Sequence, residues 1–542
     1  MLGIFWFVSS VIGSEENSEN YNATLRPRFH FTPQFHWMND PNGLSFVPDS
    51  PGSLVGTYHM FYQANPNSTR PAWSKNCTAA ACGPYWGHAT SRDLVHWLEP
   101  YGNATQILGS SGAAVVLSAP LQASSGYFAV AFTGGQKMWA TTTRDMRDWF
   151  AVEQAEINDP CQLVPVGVLP ECSGGDNYAW LGEDGKTVYA LGGGMSKAKG
   201  PEAMVFKSTS HDLLKWEFDS VLYNGSAADS SIELNCPDLF PIAEGRFALI
   251  WLAHPPWHKP WITIWELGYI DPASKKFVTE TRGLADQSSS FIAAQSFWVP
   301  PSSLAPIPVA NPRGGSAASS QAGLASRRRV QFSWVDPGLT GNSEGAQTLP
   351  RTISLSTDGQ ALTFSPAAEV SLLQNSSSHR TYSGLVMGVP QTGSLVLKDT
   401  AGWHLQLNLV LHLGDAREHS VGAVFGTSVF GGLLEVRVEQ VGAEWVLNVP
   451  NFTKVNQHSD LRVLPRQDGS VALSIFVDGS VVEVFLGDRR GDGASATTCS
   501  GLRPSTAHSE VQLFWQNTTG RTVTCDAETW EMLAATPWGK YP

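Results

Sequence analysis

An acidic side chain that follows aromatic residues is the first feature of this sequence that could do chemistry. Asp40 lies in the run Phe35-His36-Trp37-Met38-Asn39-Asp40-Pro41-Asn42-Gly43. Because proline presets one dihedral angle and Asn-Gly readily takes positive φ, Asp40 is predicted to end a strand at a tight corner. A fixed carboxylate beside apolar surface suits a site where a sugar ring meets a nucleophile or general base. The same spacing also fits an ordinary hairpin turn in which Asp40 is only a cap.

Four further sequence motifs follow Trp37–Gly43 along the chain. They are Met60–Pro66, Trp86–Ser91, Glu233 with Cys236–Phe240, and Asp478–Phe485. The ordered set resembles glycoside hydrolase family 32, the invertases, inulinases, fructan hydrolases and related fructosyltransferases. The resemblance covers nearly the whole chain and implies an all-β fold, a five-bladed β-propeller followed by a C-terminal β-sandwich.

The resemblance also implies the residues of a retaining mechanism. Such a mechanism needs two carboxyl groups about 5 Å apart, one that attacks the anomeric carbon and one that protonates the leaving oxygen. Asp40 would be the nucleophile and Glu233 the acid/base. The family pattern has Glu directly before Cys-Pro, but here Asn235 holds that place; since positions i and i+2 of a strand share a face, Glu233 can still point into the funnel. Asp238 is the competing proton donor.

A third carboxylate of the family lies in Arg-Asp-Pro and stabilises the charged transition state, but this sequence contains no Arg-Asp-Pro. Asp176 and Asp159 are the candidates for that role. Asp176 is chosen because segments that match the family's downstream strands follow it at the right distance. Asp159 is expected to cap a turn.

Several residues around these acids are predicted to bind the substrate. The resemblance suggests Asn39 and Gln63 as groups that bind hydroxyls, Trp73 or Trp86 as a stacking wall, and Ser111 near the sugar. Any single tryptophan could equally be part of the core. No phosphate loop, zinc-ligand spacing or nucleotide fingerprint stands out, so neither a metal nor a cofactor is expected.

The elements that must position these residues carry a repeated pattern of Asp and Trp. It occurs in Ser91–Trp97, Thr143–Trp149 and Ser210–Trp216, each after a short β-like run, with a degenerate case at Leu267–Phe277. A period of roughly 50 to 70 residues suits propeller blades of four strands with long loops. The repeats alone predict a propeller, and the number of blades comes from the resemblance.

The repeat divides the chain into two predicted domains. The propeller is expected over 25–368, and a β-sandwich over 371–542, where alternating strands continue without the repeat. A Pro/Ala/Ser/Gly-rich stretch, 300–326, is predicted to be a surface loop. Glu483 lies in an apolar strand and is interpreted as outward-facing, unless that strand borders the cleft.

Composition limits the classes of function. Only 15% of the 542 residues are charged, while Trp (20), Gly (51) and Pro (34) are plentiful, which favours a turn-rich all-β protein with aromatic clefts. The formal net charge of −13 argues against nucleic acid or an anionic membrane as a partner. A neutral sugar fits without special argument.

The start of the chain and its glycosylation sequons predict a secreted glycoprotein. Residues 1–14 are predicted to be a signal peptide that lacks the usual basic region, and the chain carries eight Asn-x-Ser/Thr sequons. Three local cysteine pairs could form disulfides in an oxidising compartment and would leave Cys236 unpaired. They are Cys77 with Cys82, Cys161 with Cys172, and Cys499 with Cys525.

The family resemblance, with the predicted signal peptide, therefore implies a secreted, retaining β-fructofuranosidase acting on sucrose or short fructans. With another sugar in place of water as the acceptor, the same residues would make a fructosyltransferase, and the altered motifs at Glu233 and Asp176 keep that alternative open. A catalytically weak, carbohydrate-binding relative is the further alternative. A homodimer is left open as well.

Overall fold

The structure is a computed structural model that describes residues 26–540 with several gaps. Predictions for the signal peptide, and for 305–326 of the proposed loop, lie outside the described residues. The gaps are 75–77, 79–81, 101–103, 135–136, 169–174, 194–199, 226–232, 255–260, 305–326, 340–342, 357, 389–391, 402, 414–418, 430–431, 442–443, 450–460, 464–468, 488–493, 500–502, 505–509 and 518–521.

The N-terminal part forms a five-bladed β-propeller, as predicted. Within each of the first four blades, four antiparallel strands pair in sequence order. The first blade contains β1 (His36–Pro48), β2 (Gly56–Asn65), β3 (Tyr85–Ser91) and β4 (Trp97–Leu98); the second β5 (Ala113–Val116), β6 (Ala129–Thr133), β7 (Lys137–Thr141) and β8 (Phe150–Ala151); the third β9 (Asn177–Leu181), β10 (Val188–Gly193), β11 (Glu202–Ser208) and β12 (Trp216–Asn224); the fourth β13 (Leu234–Ala243), β14 (Arg246–Ala253), β15 (Ile262–Ile270) and β16 (Phe277–Leu284); the fifth β17 (Ile292–Val299), β18 (Arg328–Leu339), β19 (Ser343–Gln347), β20 (Arg351–Leu355) and β21 (Leu362–Pro366).

The ring closes through its first and last blades. Strand β19 pairs with β18 on one side and runs parallel to β1 on the other, with Trp37 opposite Glu344. The first strands of the blades, β1, β5, β9, β13 and β17, contact one another in that order around the centre, and β17 contacts β1 again. Residues on these inner strands therefore face a common funnel, although they are far apart in sequence.

The repeated Asp and Trp pattern forms the same turn between the third and fourth strands of successive blades. A left-handed residue precedes the tryptophan by three positions, and the indole N–H donates to that residue's carbonyl oxygen. The pairs are Leu94 (φ 70°) with Trp97, Met146 (φ 52°) with Trp149, and Leu213 (φ 63°) with Trp216, at 2.9, 2.7 and 2.8 Å.

The degenerate fourth copy keeps part of this turn. It joins β15 to β16 with Lys275 at φ 57°, and Asp271 accepts a hydrogen bond from the backbone N–H of Ala273 at 2.9 Å. Phe277 stands where the other blades have tryptophan, so no indole N–H is available to close the turn. The sequence repeat is thus a structural device that turns the chain at the outer edge of each blade.

Helical segments are short. The longest α-helix in the described residues, α1, begins after Ser118, whose hydroxyl accepts from the N–H of Leu121, and ends at Gly126 in the left-handed region. Among the described residues, the longer α-helices are α1 (Ala119–Ser125) and α2 (Pro160–Leu163), and 3₁₀ helices are formed by Glu156–Asn158, Ala368–Leu373, Ser376–Ser378 and Pro537–Lys540. None of the helices described is long and apolar enough to cross a membrane.

The C-terminal part is a β-sandwich of two mainly antiparallel sheets, also as predicted. Alternate residues of its strands point inward, as in Leu405, Leu407, Leu409 and Leu411, and form one shared apolar core. One sheet contains β22 (Arg380–Met387), β24 (His404–His412), β29 (Ser470–Asp478), β30 (Val481–Gly487), β31 (Ala494–Cys499) and β34 (Val523–Glu531); the other contains β23 (Thr392–Ala401), β25 (His419–Val429), β26 (Gly432–Val441), β27 (Glu444–Asn448), β28 (Leu461–Val463), β32 (Arg503–Pro504) and β33 (Glu510–Asn517).

Glu483 does not face solvent, so the interpretation of it as an outward-facing residue is wrong. Its side chain is 0% exposed and accepts hydrogen bonds from Arg351 Nε at 3.0 Å and from the N–H of Leu349 at 2.7 Å. His30 joins Glu483 (Nε2 to Oε1, 3.0 Å) to Asp478 (Nδ1 to Oδ2, 2.8 Å). These residues bind the propeller to the sandwich through a buried charged network.

The predicted pairing of Cys499 with Cys525 is also wrong. Cys525 is a buried free thiol on β34, with burial and the charge of Asp526 raising its pKa to about 12. Cys77 and Cys172 lie outside the described residues, so the other two pairs stay predictions.

Candidate active site

Asp40 lies within strand β1, not at its end, which corrects the predicted tight corner. The strand continues through the Asp-Pro-Asn-Gly sequence by means of two register shifts against β2, between Met38 and Pro41 and between Asn42 and Ser45. A bulge accommodates Pro41, which has no N–H to donate to a ladder. The turn chemistry of the sequence therefore bends the strand locally and turns the Asp40 side chain out of the regular alternation.

Gly43 is required at this bend for two reasons. Its φ of +52° lies in the left-handed region, and a Cβ there would stand 3.0 to 3.1 Å from the rings of Phe61 and Trp86 and from Ala114. Both backbone conformation and space therefore exclude a larger residue beside the carboxylate.

Three side chains form a hydrogen-bonded group at Asp40. The Ser111 hydroxyl donates to Asp40 Oδ2, and the amide Nε2 of Gln63 donates to the same oxygen at 3.0 Å and to Ser111 Oγ at 2.8 Å. The loop that carries Ser111 is tied to β1, since the N–H of Gly112 donates to Asn42 Oδ1 at 3.0 Å. The structure thus brings Asp40, Gln63 and Ser111 together, and the binding of substrate by Gln63 and Ser111 stays a prediction.

Asp176 lies directly before β9, and Cys236 holds its carboxylate. The backbone N–H and the thiol of Cys236 each donate to Asp176 Oδ2 at 3.3 Å. Cys236 takes a φ of +45° at a bulge in β13, an unfavourable conformation for a residue with a Cβ. Strained backbone of this kind is often found at functional sites, and here it aims two donors at one oxygen.

Electrostatic coupling shows that the acids share one environment. Burial raises the pKa of Asp40 from 3.8 to about 7; the hydrogen bond from Ser111 opposes this rise, and the charge of Asp176 adds to it. Burial also raises the pKa of Asp176, against the Cys236 hydrogen bonds, and the charge of Glu233 raises it further. The pKa of Cys236 lies well above its usual value because of burial, then of Asp176 and Asp40.

Glu233 is the residue immediately before β13 and is half-buried. Leu234 packs in the core, while Asn235 lies on the opposite side of the strand, half-buried and opposite Leu252. The side-chain nitrogen of Asn235 is buried and has no hydrogen-bond partner among the described residues. Glu233 and Asn235 therefore lie on the side of β13 that does not pack in the core. The charge of the Glu233 carboxylate raises the pKa of Asp176.

The competing acids are engaged elsewhere. Asp238 is fully buried, and Arg329 Nη2 donates to it at 2.8 Å while the Ser296 hydroxyl also donates to it. Asp159 is exposed at the start of α2, where its Oδ2 accepts from Gln162 at 2.6 Å. Neither carboxyl group is placed to act as a proton donor in the funnel.

The predicted substrate-binding aromatics differ in their placement. Trp86 is 0% exposed and packs against Phe61 in the core, so it cannot stack on a ligand, and that alternative fails. Trp73 is 41% exposed and meets buried Trp37 edge to face, with ring centroids 4.7 Å apart. Since Trp37 is three residues before Asp40, Trp73 stays the prediction for the stacking wall.

Asn39 is 2% exposed, and its side-chain oxygen has no hydrogen-bond partner among the described residues. Its main chain is fixed by Gln347, whose Nε2 donates to Asn39 O at 2.8 Å. Within the described part of the chain, no three His, Cys, Asp or Glu side chains are grouped as ligands for a metal ion. Sequence reasoning missed the double contact from Cys236 to Asp176, for which the only signal was a cysteine beside a proline.

Comparisons with known proteins relate the whole arrangement to one family. Residues 30–366 match the N-terminal domain of glycosyl hydrolases family 32, and residues 432–531 match the C-terminal domain of that family. An acid beta-fructofuranosidase of Vicia faba is 30% identical over 250 residues, 44% of this chain and 35% of the relative. A fructan 6-exohydrolase of Triticum aestivum is 31% identical over 245 residues, 41% of this chain and 36% of the relative.

These alignments span little more than a third of the length of the curated relatives. Similarity of fold extends further: the crystal structure of fructan 1-exohydrolase IIa from Cichorium intybus aligns with a TM-score of 0.67 and 19% identity over 95% of this chain and 98% of that one. Since the N-terminal family match alone covers more than half of the sequence, the chain belongs to glycosyl hydrolase family 32.

Proposed function

We propose that this chain is a retaining β-fructofuranosidase that cleaves the fructosyl linkage of sucrose or short fructans through a covalent fructosyl-enzyme intermediate. The observation that carries the proposal is the Asp40 carboxylate, fixed by Ser111 and Gln63 and coupled through charge to Asp176. Relatives whose names describe fructofuranosidases and a fructan exohydrolase support the class of substrate.

Asp40 attacks C2 of the fructosyl unit in the first step. The side chains of Ser111 and Gln63 both donate to Oδ2, so we assign Oδ1 as the oxygen that forms the bond to carbon. Hydrogen bonds to one carboxylate oxygen orient the nucleophile, while the other oxygen remains available to attack. The bond from C2 to the leaving oxygen breaks as the ester forms.

Glu233 supplies the proton that the leaving oxygen needs. In the second step the ionised Glu233 takes a proton from the acceptor, which attacks C2 and releases Asp40. Asp176 stabilises the positive charge that develops on the sugar and accepts hydrogen bonds from its hydroxyls. Because burial raises the pKa of Asp176, a positively charged transition state favours its ionised form more than the neutral sugar does.

Asn39 and Trp73 complete the proposed binding site. The unpartnered Asn39 oxygen would accept a hydrogen bond from a sugar hydroxyl, and the exposed indole of Trp73 offers an apolar face to a ring. Both features are those expected of a pocket for a neutral, hydroxyl-rich substrate.

Transfer of the fructosyl unit to a second sugar is an alternative, and one observation favours it. Asn235 occupies the position that the family pattern gives to glutamate, and its side-chain nitrogen is an unused donor. A donor at that position could hold a sugar acceptor in place of water. A fructosyltransferase would use Asp40 and Glu233 in the same roles. A catalytically weak carbohydrate-binding protein is the further alternative that the changed motifs leave.

Incubation of the purified protein with sucrose at low and high concentration tests the proposal. Equal release of glucose and fructose at both concentrations supports hydrolysis, whereas glucose in excess of fructose with oligosaccharides supports transfer. The Asp40→Asn variant is the control for a contaminating activity. If neither sugar is released and inulin and levan are also untouched, the enzymatic proposal is wrong and a binding protein is the better description.

We also propose passage through a secretory pathway. Two of the sequon asparagines, Asn67 and Asn224, are exposed where an oligosaccharide could attach. Expression in a eukaryotic host, with recovery from the medium and a mobility shift after deglycosylation, tests this. Retention in the cell without glycans would contradict it. Self-association stays a prediction, which light scattering of the purified protein tests.

A further inference from the structure

A cavity of about 350 Å³ lies between the first two blades, far from Asp40. Its walls come from the end of β1 at Val47 and Pro48, from β2 and β3, and from the turn after β7 at Arg144 and Asp145. Eight residues of strand separate Asp40 from Pro48, about 25 Å at 3.3 Å per residue and somewhat less because β1 bulges. The cavity is therefore separate from the funnel, and its volume is in the range of small-molecule sites.

One wall of the cavity holds an unusual pair of histidines. His59 lines it, and His59 Nδ1 lies 2.9 Å from Nε2 of His88 on the neighbouring strand, with the rings stacked at 5.2 Å. Burial lowers the pKa of His59 to about 4, so its imidazole is neutral at neutral pH. The other nitrogen of His59, Nε2, is buried and has no hydrogen-bond partner among the described residues. A buried polar atom without a partner is costly, and a ligand hydroxyl at this wall of the cavity would supply one.

The histidine pair sets the kind of group that fits. If His59 Nδ1 donates to His88, His59 Nε2 is an acceptor; if His88 Nε2 donates to His59, His59 Nε2 carries the proton and donates. A hydroxyl group satisfies both cases, because it donates and accepts. The hydroxyls of Thr57 and Thr90 also line the cavity. The Thr57 hydroxyl already accepts a hydrogen bond from Arg92 Nη1 at 2.9 Å, and its own proton can be donated to a ligand.

Charges around the cavity are balanced. The guanidinium group of Arg92 donates to the Asp49 carboxylate through Nη1 at 2.8 Å and through Nη2 at 2.6 Å. Arg144 Nη2 donates a hydrogen bond to the carbonyl oxygen of Pro48. With Asp145 the lining and its immediate partner carry two carboxylates and two guanidinium groups. Neither an anion nor a cation is therefore favoured, while Val47 and Pro48 offer apolar surface to the C–H face of a ring.

From these features we propose that the cavity is a second saccharide-binding site, in which His59 and the two threonines hydrogen-bond the hydroxyls of a neutral sugar. A site at this distance would hold a sugar without cleaving it and would anchor the protein to a polymeric or clustered carbohydrate. The proposal does not depend on whether the funnel is hydrolytic.

Hydrogen exchange of the full chain tests the proposal site by site. The Asp40→Asn protein is titrated separately with sucrose, fructose and glucose, so that no sugar is consumed. We expect saturable protection of amides in 45–59 and 143–149, about tenfold slower exchange at ten times the dissociation constant. Amides in 36–44 report the funnel independently, so failure at one site is distinguished from failure at the other.

Substitutions within the cavity assign the protection. Thr90 lies directly opposite His59 in the strand pair and is half-buried, so Thr90→Trp should fill the cavity and abolish protection of 45–59 and 143–149 without changing 36–44. Thr392→Trp, on an exposed sandwich residue, is the matched control and should change neither. Thr57→Val removes one hydroxyl with little change in volume and should weaken binding about fivefold, which serves if the tryptophan variant fails to fold.

Three results would overturn the proposal. They are no protection of 45–59 and 143–149 by any of the three sugars, protection that survives in a folded Thr90→Trp protein, and protection by ethanolamine but by no sugar. The last result would identify the cavity as a site for a cation.

Discussion

The thiol of Cys236 and the carboxylate of Asp176 form a hydrogen bond of 3.3 Å, and the backbone N–H of Cys236 reaches the same oxygen at the same distance. Because the pKa of this thiol is raised well above its usual value, it stays protonated and remains a donor. The residue before Asp176 is Gly175, and Cys236 supplies two donors to the Asp176 carboxylate. This contact connects the third and fourth blades at the proposed site.

Replacing the thiol should separate its role as a donor from its role in packing. We expect Cys236→Ala to lower kcat/KM for sucrose about tenfold, since a hydrogen bond to a charged group contributes about 1.5 kcal/mol or more. Cys236→Ser keeps a donor and the same backbone strain and should stay within about threefold of the unmodified protein. Equal losses in the two variants would mean that the thiol acts by packing alone.

Asp40 should make the protein less stable at neutral pH than a neutral side chain would. Its pKa is raised from 3.8 to about 7, so the folded state binds a proton that the unfolded state has released, and stability falls as the pH rises from about 4 to about 7. We expect Asp40→Asn to raise the free energy of unfolding by about 2 to 4 kcal/mol above pH 7 and to have little effect below pH 4. Urea unfolding at several pH values measures this, and a pH-independent difference would contradict it.

The raised pKa of Asp40 should also determine how the activity depends on pH. Since only ionised Asp40 can attack, activity should rise through the acidic range toward an apparent pKa near 7 in the free enzyme, visible in kcat/KM against pH. Residual turnover in Asp40→Asn should be at least about a thousandfold lower. A flat acid limb down to pH 4 would mean that the Asp40 pKa is not raised in solution.

Gly43 allows the strand to bend beside the carboxylate. We expect Gly43→Ala to cost about 2 to 4 kcal/mol in free energy of unfolding, because a Cβ would meet Phe61, Trp86 and Ala114 at 3.0 to 3.1 Å in addition to the left-handed strain. The matched control is Gly52→Ala, where φ is +79° and no atom lies within 4 Å, so only the backbone strain of about 1 kcal/mol remains. Equal losses in the two variants would contradict the proposed close packing.

The buried network between the domains should contribute more to the free energy of unfolding than an exposed ion pair does. Glu483→Gln leaves Arg351 and His30 with a weakened partner in a site without solvent, and we expect a loss of about 3 to 5 kcal/mol. Glu531→Gln removes an exposed pair with Arg28 at 3.1 Å and should cost less than about 1 kcal/mol. Similar midpoints of urea unfolding for the two variants would show that the network does not join the domains energetically.

His30 should give this network a pH dependence. Its folded pKa is raised to about 9 by hydrogen bonds and charges from Asp478 and Glu483, which outweigh burial. The stabilisation is therefore fully present below about pH 6.5 and is lost as the pH rises through about 9. Thermal unfolding between pH 6 and 10 should show this loss in the unmodified protein, and its absence would mean that His30 is neutral in the network.

The sequence predicts the architecture well because its signals are local and repeated. The tryptophan turns at Trp97, Trp149 and Trp216 each depend on a few consecutive residues, so their pattern is visible without a structure. The convergence of Asp40, Gln63 and Ser111 was accessible only through the family resemblance, because nothing in the spacing of residues on different blades fixes their contact.

The errors share a physical origin in tertiary context. Local turn chemistry at Asp40 was overridden by strand pairing, which absorbed Pro41 and Gly43 as bulges. Glu483 follows the alternation of an exposed strand residue, yet the propeller covers that face and supplies Arg351 as its partner. Trp86 is buried beside Gly43, where a Cβ would stand 3.1 Å from its ring, and this relation between two strands is not contained in any single segment.

Trapping the covalent intermediate tests the central claim most directly. The protein is mixed with sucrose, quenched in acid during steady turnover and digested, and the peptides are analysed by mass spectrometry. We expect a fructosyl ester on the peptide that contains Asp40, absent in Asp40→Asn. Steady turnover with no adduct on that peptide, or an adduct on Asp176 or Glu233 in its place, would contradict the assignment of Asp40 as the nucleophile.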